Sequence, residues 1–150
     1  MTLELQSPAF EHGEPIPDKY GYTKANVNPP LEIDGIPAAA KSLALIVDDP
    51  DAMKPAGKIW DHWVVWNIEP DREQIPEAWN PTAAIEGRTD YDETGYGGPN
   101  PPDREHTYRF RLVALDRTLD LEPGARKGDL EATMEGHVLD ETLLEGTYAP

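Results

Sequence analysis

The chain has 150 residues, enough for one hydrophobic core, and we predict a single domain over residues 1–150. Its 29 acidic and 13 basic residues give a formal net charge of −16, which disfavours binding to nucleic acid or to an anionic membrane surface. The lack of cysteine excludes disulfides, thiolate nucleophiles and cysteine-ligated metals. No apolar run could span a bilayer and no secretory signal follows Met1, so we expect a soluble cytoplasmic protein without stable membrane insertion.

Apolar patterning along the chain predicts mainly β-strands. In chain order they are predicted around Leu3–Leu5 with Ala9 and Phe10 as a candidate extension, over Ser42–Asp48, Ile59–Ile68 and Thr107–Leu115, and around Leu143–Tyr148. After Pro123 and Gly124, the spacing of Leu130, Met134 and Val138 predicts one helix. Strands followed by a late helix and a last strand favour a sheet with a helix packed on it over repeated β-α-β units.

The second long strand, Ile59–Ile68, carries apolar residues on both of its faces. Regular alternation places four side chains on one face: Trp60, His62, Val64 and Trp66. It places four on the other face: Asp61, Trp63, Val65 and Asn67. Apolar residues on both faces predict a strand that is covered on both sides.

Common catalytic signatures are missing from the sequence. The only serines are Ser7 and Ser42, and neither lies in a Gly-x-Ser-x-Gly turn, which argues against a serine hydrolase. No phosphate-binding Walker loop and no dinucleotide-binding glycine pattern is present. The chemistry must therefore come from other polar residues.

Polar side chains gather where the predicted strands begin and end. Asp49 and Asp51 follow the first buried strand, His62 lies near the start of the next, and His106 and Tyr108 share one face of the third. Histidines can donate hydrogen bonds to a phosphate-like anion, and a neighbouring carboxylate is expected to favour their charged form.

The loop before His106 is the second part of this constellation. Residues 69–105 are rich in proline, and a loop region of this length is usually functional. In this region Gly98 is expected to let a ligand approach backbone N–H groups, and Pro99 restricts the freedom of the loop. Arg104 is a further candidate donor to the anion.

Each of these residues also has a structural interpretation. The Asp49-Pro50 pair could be an ordinary turn, His62 a buried core histidine, and Tyr108 a packed side chain with its hydroxyl paired. Asp49, His62 and His106 could also form a zinc shell, although their spacing matches no common ligand pattern. These alternatives stay open at the level of residue spacing.

Four motifs occur in a fixed order along the chain. They are Asp49-Pro50-Asp51-Ala52, Trp60-x-His62-Trp63, Gly95-Tyr96-Gly97-Gly98-Pro99-x-Pro101-Pro102 and His106-x-Tyr108-x-Phe110. This set resembles the phosphatidylethanolamine-binding protein family, also called Raf kinase inhibitor-like proteins, in its bacterial and archaeal branch. The resemblance extends from about Leu3 to Tyr148. It implies a mainly β fold, with a large central β-sheet packed with a smaller sheet and one or two peripheral helices.

The resemblance also implies a function. The family pocket corresponds to Asp49, Asp51, His62, Pro99, His106 and Tyr108, and it binds small phosphate-like anions or phospholipid headgroups. The resemblance implies no cofactor, no metal and no accepted enzyme activity. The alternative is a regulatory protein that inhibits a kinase or protease through its surface. The sequence ends at Pro150 without the C-terminal helix of animal relatives, so kinase inhibition of the animal kind is not transferred from the resemblance.

A third reading is enzymatic. It takes Asp49 or Asp51 as general base and His62 or His106 as general acid of a hydrolase. The lack of an evident nucleophile counts against it, and we expect the protein not to be an enzyme.

The acidic residues are spread along the whole chain, which is typical of proteins that stay soluble in concentrated salt, so we predict a halophilic origin. Screening lengths shrink to about 3 Å at 1 M salt, and self-repulsion among the carboxylates grows when salt is removed. We therefore expect the Tm to fall between multimolar KCl and dilute buffer. A Tm that does not change with KCl concentration in thermal melts would contradict this prediction.

Overall fold

The computed structural model describes residues 2–150, which form two antiparallel β-sheets. The strands are β1 (Glu4–Gln6), β2 (Leu31–Asp34), β3 (Ser42–Asp49), β4 (Trp60–Ile68), β5 (Gln74–Ile75), β6 (Ile85–Glu86), β7 (His106–Leu115) and β8 (Val138–Tyr148). The helices of this range are α1 (Met53–Ala56) and α2 (Lys127–Met134), with short 3-10 turns at Asp18–Tyr20 and Pro50–Ala52. The small sheet has the order β1-β2-β5 and the large sheet the order β6-β4-β3-β7-β8. The predicted combination of a large sheet, a smaller sheet and few helices is confirmed.

The large sheet is covered on both faces, as predicted from its apolar strands. All eight residues of β3, its central strand, are buried. Leu45 and Val47 face the small sheet and share a core with Leu31. On the other face, Ile46 packs in a second core with Leu130 of α2. Neither helix of the described range has the length and apolar character of a membrane span.

The late helix is shorter than predicted. Leu130 and Met134 are buried against the sheet, but Val138 is the first residue of β8 and is 45% exposed. The helix stops because Glu135 leaves the helical conformation with ψ of 128°, and Gly136, with φ of 84°, completes a turn that leads into β8. Including Val138 in the helical pattern was therefore wrong, and the last strand is longer than predicted.

The first half of the chain also differs from the prediction. β2 was missed, although Leu31 and Ile33 alternate with exposed acidic residues as in a half-buried strand. The candidate extension of β1 is wrong because the strand ends at Gln6. Phe10 lies outside it but is buried, with its ring centroid 5.8 Å from that of Phe110.

The start of β4 departs from regular pairing. Val47 pairs with Trp63 and Asp48 pairs with Asp61, so His62 is an extra residue opposite β3. Such a β-bulge changes the direction in which the following and preceding side chains point. The ring of His62 consequently lies 5.2 Å from that of Tyr108, on the small-sheet side, and not with Val64 and Trp66 as predicted.

A second irregularity occurs at the end of β4. It lies between two cross-strand pairs, Leu43 with Ile68 and Leu45 with Val65. In this segment Asn67 adopts a positive φ of 55°. The Asn67 side chain exchanges hydrogen bonds with the backbone of Leu119, which belongs to the core under α2. The predicted grouping of Asn67 with Trp63 is therefore wrong as well.

Candidate functional site

The largest polar cluster surrounds a cavity at one edge of the large sheet. β3 ends at Asp49, and its antiparallel neighbours β4 and β7 begin at Trp60 and His106, so three strand ends meet there. The cavity has a volume of about 280 Å³. Asp49, His62, His106 and Tyr108 line it, and all four were predicted as site residues.

The cavity has a buried polar floor and an exposed apolar mouth. Each of the four polar residues is at most 3% exposed. The mouth is formed by less buried residues, among them Pro55, Ala56, Trp60, Tyr91 and Pro102. Convergent polar groups inside an apolar entrance are the usual form of a small-molecule site.

His106 is held between two carboxylates. Its Nδ1 lies 2.6 Å from Oδ2 of Asp49, and its Nε2 lies 2.7 Å from Oδ1 of Asp103. Both ring nitrogens are thus engaged by carboxylate oxygens of the protein. No ring nitrogen remains for a ligand. The prediction that His106 donates to an anion is therefore wrong for this arrangement.

Asp103 was not among the predicted site residues. Burial favours its neutral form, but hydrogen bonds from His106 and from nearby backbone N–H groups hold the pKa of Asp103 below its ordinary value. It therefore stays ionised, and its carboxylate engages the second ring nitrogen of His106. The only signal in the sequence was an acid three residues before His106.

Asp51 does not line the cavity. Its N–H donates to Oδ1 of Asp49 at 2.9 Å, and its Oδ2 accepts from the N–H of Thr107 at 2.8 Å. These bonds tie the turn after β3 to the start of β7, so Asp51 positions Asp49. Arg104 lies 3.7 Å from Oδ1 of Asp51 and outside the lining, so its approach to an anion stays a prediction.

Gly98 and Pro99 also lie outside the lining. The N–H of Gly98 donates to Oδ1 of Asn26 at 2.8 Å, and the carbonyl of Pro99 accepts from the N–H of Tyr22 at 2.9 Å. A Cβ on Gly98 would clash with the carbonyl oxygen of Tyr20, so this position needs glycine for loop packing. The predicted cradle of backbone N–H groups is therefore wrong at Gly98, whose N–H is used within the protein.

His62 reaches the cavity because of the bulge in β4. Its Nδ1 lies 2.7 Å from the carbonyl oxygen of Gly97, so Nδ1–H donates there and Nε2 is left as an acceptor. Burial lowers the pKa of His62, and the hydrogen bond to Gly97 and the charge of Asp49 offset only part of this. The ring is neutral at neutral pH. The expectation that a carboxylate would favour its charged form is wrong because desolvation outweighs the attraction.

Two other lining residues hold buried polar atoms that make no hydrogen bond. The hydroxyl of Tyr108 and Nε1 of Trp60 are both without a partner in residues 2–150. Burial raises the pKa of Tyr108, and the charge of Asp49 raises it further, so the hydroxyl keeps its proton. A buried donor without a partner is costly, and a ligand acceptor would remove that cost. The Tyr108 hydroxyl lies near the Asp49 carboxylate but makes no hydrogen bond of good geometry in residues 2–150, so the paired hydroxyl expected of a packed residue is not observed.

The same strand ends carry a second charged cluster on the opposite face of the sheet. Nζ of Lys127, on α2, lies 3.2 Å from Asp48 and 2.8 Å from Asp61. Arg109 forms two bonds to Asp48, of 2.8 Å and 3.0 Å. These contacts hold Asp61 on the α2 side, opposite to His62 as predicted. The predicted grouping of Asp61 with Trp63 and Val65 is wrong, because those two residues face the small sheet.

A zinc site does not fit these residues. The described chain, residues 2–150, contains no group of three or more His, Asp or Glu side chains arranged to hold a metal ion. A zinc shell of Asp49, His62 and His106 would need a free lone pair on each ring, and both nitrogens of His106 are engaged.

The fold and site together define a two-sheet β protein with one polar-floored cavity at its strand ends. The family model described as phosphatidylethanolamine-binding protein matches residues 6–149. A UPF0098 protein of Methanothermobacter thermautotrophicus is 48% identical over 151 residues, covering 97% of this chain and 98% of that protein. A UPF0098 protein of Chlamydia muridarum is 42% identical over 148 residues, covering 97% of this chain and 98% of that protein.

Solved structures show the same architecture. A crystal structure from Chlamydia trachomatis, described as a homologue of phosphatidylethanolamine-binding protein, aligns with a TM-score of 0.92 at 39% identity, covering 98% of this chain and 97% of that one. Escherichia coli YbcL is described as a new member of the mammalian PEBP family. It aligns with a TM-score of 0.90 at 26% identity, covering 99% of this chain and 98% of that one. The chain belongs to the phosphatidylethanolamine-binding protein family, and the predicted bacterial and archaeal branch fits its relatives.

The lowered pKa of His62 predicts a pH-dependent stability. Below about pH 6.5 the unfolded chain protonates this histidine while the folded protein resists it, so the free energy of unfolding falls as the pH falls. His62→Asn keeps a donor for Gly97 and removes the titrating group. Urea unfolding between pH 7.5 and pH 5 should show a shallower loss of stability in His62→Asn than in the wild type.

The exposed His12 is the matched control for that experiment, because its ring is 60% exposed. His12→Asn should keep the wild-type slope. Equal slopes for His62→Asn and the wild type would contradict the neutral, buried state assigned to His62.

The buried hydrogen bond between Asp49 and His106 predicts a large structural effect. His106→Ala leaves Asp49 buried without this partner and should lower the free energy of unfolding by about 1–3 kcal/mol. His137, which pairs with Asp116 at the surface, is the control, and His137→Ala should have little effect. Denaturant unfolding curves measure both variants, and equal small losses would show that the buried pair contributes little.

Proposed function

We propose that the protein is a binding module whose cavity recognises a small phosphate-like anion, either free or as the headgroup of a phospholipid. The support is the cavity floor, where the Tyr108 hydroxyl is a buried donor without a partner in the described chain. A phosphate oxygen would accept this hydrogen bond. Aromatic and aliphatic residues at the mouth fit an apolar part attached to the phosphate.

Neutral groups would hold the anion. No Lys or Arg of residues 2–150 lines the cavity, and both ring nitrogens of His106 are engaged by Asp49 and Asp103. The attraction therefore depends on hydrogen bonds from Tyr108 and from groups such as Nε1 of Trp60, whose polar atoms are buried. This differs from the sequence-based expectation of direct charge pairing with histidines.

We propose binding without catalysis. A hydrolase mechanism would need a histidine that exchanges a proton with substrate, and both nitrogens of His106 are committed to carboxylates. His62 could accept a proton, but the described lining contains no serine, threonine or cysteine nucleophile. Inhibition of a kinase or protease through the surface stays a separate proposal. It would be favoured if Tyr108→Phe, a variant of the cavity floor, formed a complex with such an enzyme as well as the wild type does.

A halophilic origin also stays a proposal. It is supported by the net charge of −16 and by acidic residues along the whole chain. In concentrated salt, screening would shorten the repulsion between this surface and an incoming anion to a few Å, because the Debye length is about 3 Å at 1 M.

The Tyr108 hydroxyl gives the test of the proposed function. Tyr108→Phe removes one donor, and the loss of a hydrogen bond to a charged group should weaken binding of inorganic phosphate roughly tenfold or more. Stability should be unchanged or higher, because the hydroxyl has no partner in the described structure. Calorimetric titration with phosphate and denaturant unfolding measure the two effects.

Tyr96→Phe is the matched control. The Tyr96 hydroxyl donates to the carbonyl of Tyr20 at 2.9 Å and lies outside the cavity lining. This variant should lose stability and keep phosphate binding, the reverse of Tyr108→Phe. Phosphate binding that survives Tyr108→Phe unchanged would exclude the cavity as the anion site.

A further inference from the structure

We propose that Lys127 is a positioning residue for the cavity, although it lies on the opposite face of the large sheet and outside the cavity lining. Its ammonium group holds the bulge at the start of β4, and this bulge directs His62 into the cavity. The inference concerns the shape of the cavity, and it rests on the proposed function only where phosphate serves as a probe.

The bulge is visible in the faces that successive side chains of β4 occupy. Asp61 lies on the α2 side, where it contacts Lys127, and Val64 packs in the core under α2. Between them, His62 and Trp63 both lie on the small-sheet side, although neighbouring residues of a regular strand point to opposite faces. With Trp63 fixed in the core, a regular strand would place His62 on the α2 side and Asp61 in the cavity. The bulge therefore decides which of these two side chains the cavity receives.

The bulge carries an electrostatic cost. It pairs Asp48 of β3 directly with Asp61 of β4, and both side chains point to the α2 side, where they are 5% and 13% exposed. Like charges directly opposite each other on neighbouring strands are destabilising, and burial strengthens their repulsion. Burial raises the pKa of Asp61, the charge of Asp48 raises it further, and Lys127 offsets part of this rise. This register therefore needs a cation on the α2 side.

Lys127 supplies that cation. Its Nζ lies 2.8 Å from Oδ1 of Asp61 and 3.2 Å from Oδ2 of Asp48, so one ammonium group contacts both carboxylates. Asp48 also pairs with Arg109, whereas Lys127 is the only cation within 4 Å of the Asp61 carboxylate in residues 2–150. Removing the ammonium group would leave Asp61 without a counter-charge on the side where the bulge holds it.

The position of Lys127 in its helix supports this role. Lys127 is the first residue of α2. The N-terminus of a helix carries partial positive charge, so a cation there is unfavourable for the helix itself. Helix electrostatics alone therefore predict that Lys127→Met leaves α2 equally or more stable. A disturbance of β4 in that variant would come from the two carboxylates that Lys127 neutralises.

The loop around Gly97 reports on the bulge because it is tied to His62 twice. The N–H of Gly97 donates to the carbonyl oxygen of His62 at 2.8 Å, and Nδ1–H of His62 donates to the carbonyl oxygen of Gly97 at 2.7 Å. In a regular strand the carbonyl and the ring of His62 would both point to other sides, because successive residues alternate. Loss of the bulge would therefore break both hydrogen bonds.

The experiment compares Lys127→Met with the wild type in the whole chain at pH 8, where carboxylates are ionised. Methionine removes the charge and keeps most of the side-chain volume. Hydrogen exchange of the Gly97 amide should become roughly tenfold faster or more, because the segment loses a partly buried ion pair. The side-chain nitrogen NMR shifts of His62, which report its Nδ1–H tautomer, should change in the same variant.

Lys41→Met is the matched control. It also removes one positive charge, but Lys41 is exposed and lies directly before β3, at the end of the strand that is far from the cavity. Exchange at Gly97 and the spectrum of His62 should stay at their wild-type values. Titration with inorganic phosphate adds a second readout, and affinity should fall roughly three- to tenfold in Lys127→Met alone, because the apparent Kd rises as the fraction with a formed site falls.

Lys127→Met combined with Asp61→Asn tests whether charge is the cause. The double variant removes the repulsion between Asp61 and Asp48, so slow exchange at Gly97 should return, even if Lys127→Met alone fails to fold. A double variant that does not fold, or that keeps fast exchange at Gly97, would show that Lys127 acts through packing and would overturn the inference.

Unchanged Gly97 exchange and unchanged His62 shifts in Lys127→Met would also overturn the inference. Failure of the wild type to bind phosphate would contradict the proposed function instead. The exchange and NMR measurements would still decide the role of Lys127, because they need no ligand.

Discussion

Asp49 and His106 are joined by a 2.6 Å hydrogen bond at the edge of the large sheet, where their side chains are 4% and 1% exposed. Removing such polar groups from water is costly, and the cost is met only when their hydrogen bonds are satisfied. The N–H of Asp51 donates to Asp49, and Asp103 forms a hydrogen bond with His106. One cluster therefore joins the turn after β3, the start of β7 and the loop before β7. The shape of the cavity depends on that cluster.

The position of the cavity follows from antiparallel pairing and one bulge. β3 ends where β4 and β7 begin, so residues far apart in sequence meet at the same edge. The bulge lets two neighbouring side chains point to opposite faces of the sheet. Asp61 contacts Lys127 under α2, whereas His62 lines the cavity. The ionic cluster under α2 and the polar floor are therefore built on the same strand ends.

The proposed anion pocket lies in an acidic protein, which presents an electrostatic conflict. The net charge of −16 repels anions at a distance, and no Lys or Arg of residues 2–150 lines the cavity. Hydrogen bonds between buried groups are stronger than the same bonds in water, and salt screens the long-range repulsion. Recognition in such a cavity depends on matching donors to acceptors and less on total charge.

The sequence by itself determined the mainly β architecture, the long buried strands and the strand-end location of Asp49, His62, His106 and Tyr108. These follow from local apolar patterning and from motif order, which are properties of neighbouring residues. Sequence analysis did not resolve which polar atoms are free. Asp103 engages His106, Asn26 engages Gly98, and the bulge turns His62 away from Val64.

Those outcomes were decided only by the tertiary structure. A hydrogen-bond partner is determined by which groups lie within about 3 Å in space. The pKa of His62 is decided by how completely its ring is removed from water, which no local pattern specifies. Sequence therefore determined which side chains reach the cavity edge, and packing decided which of them remain available to a ligand.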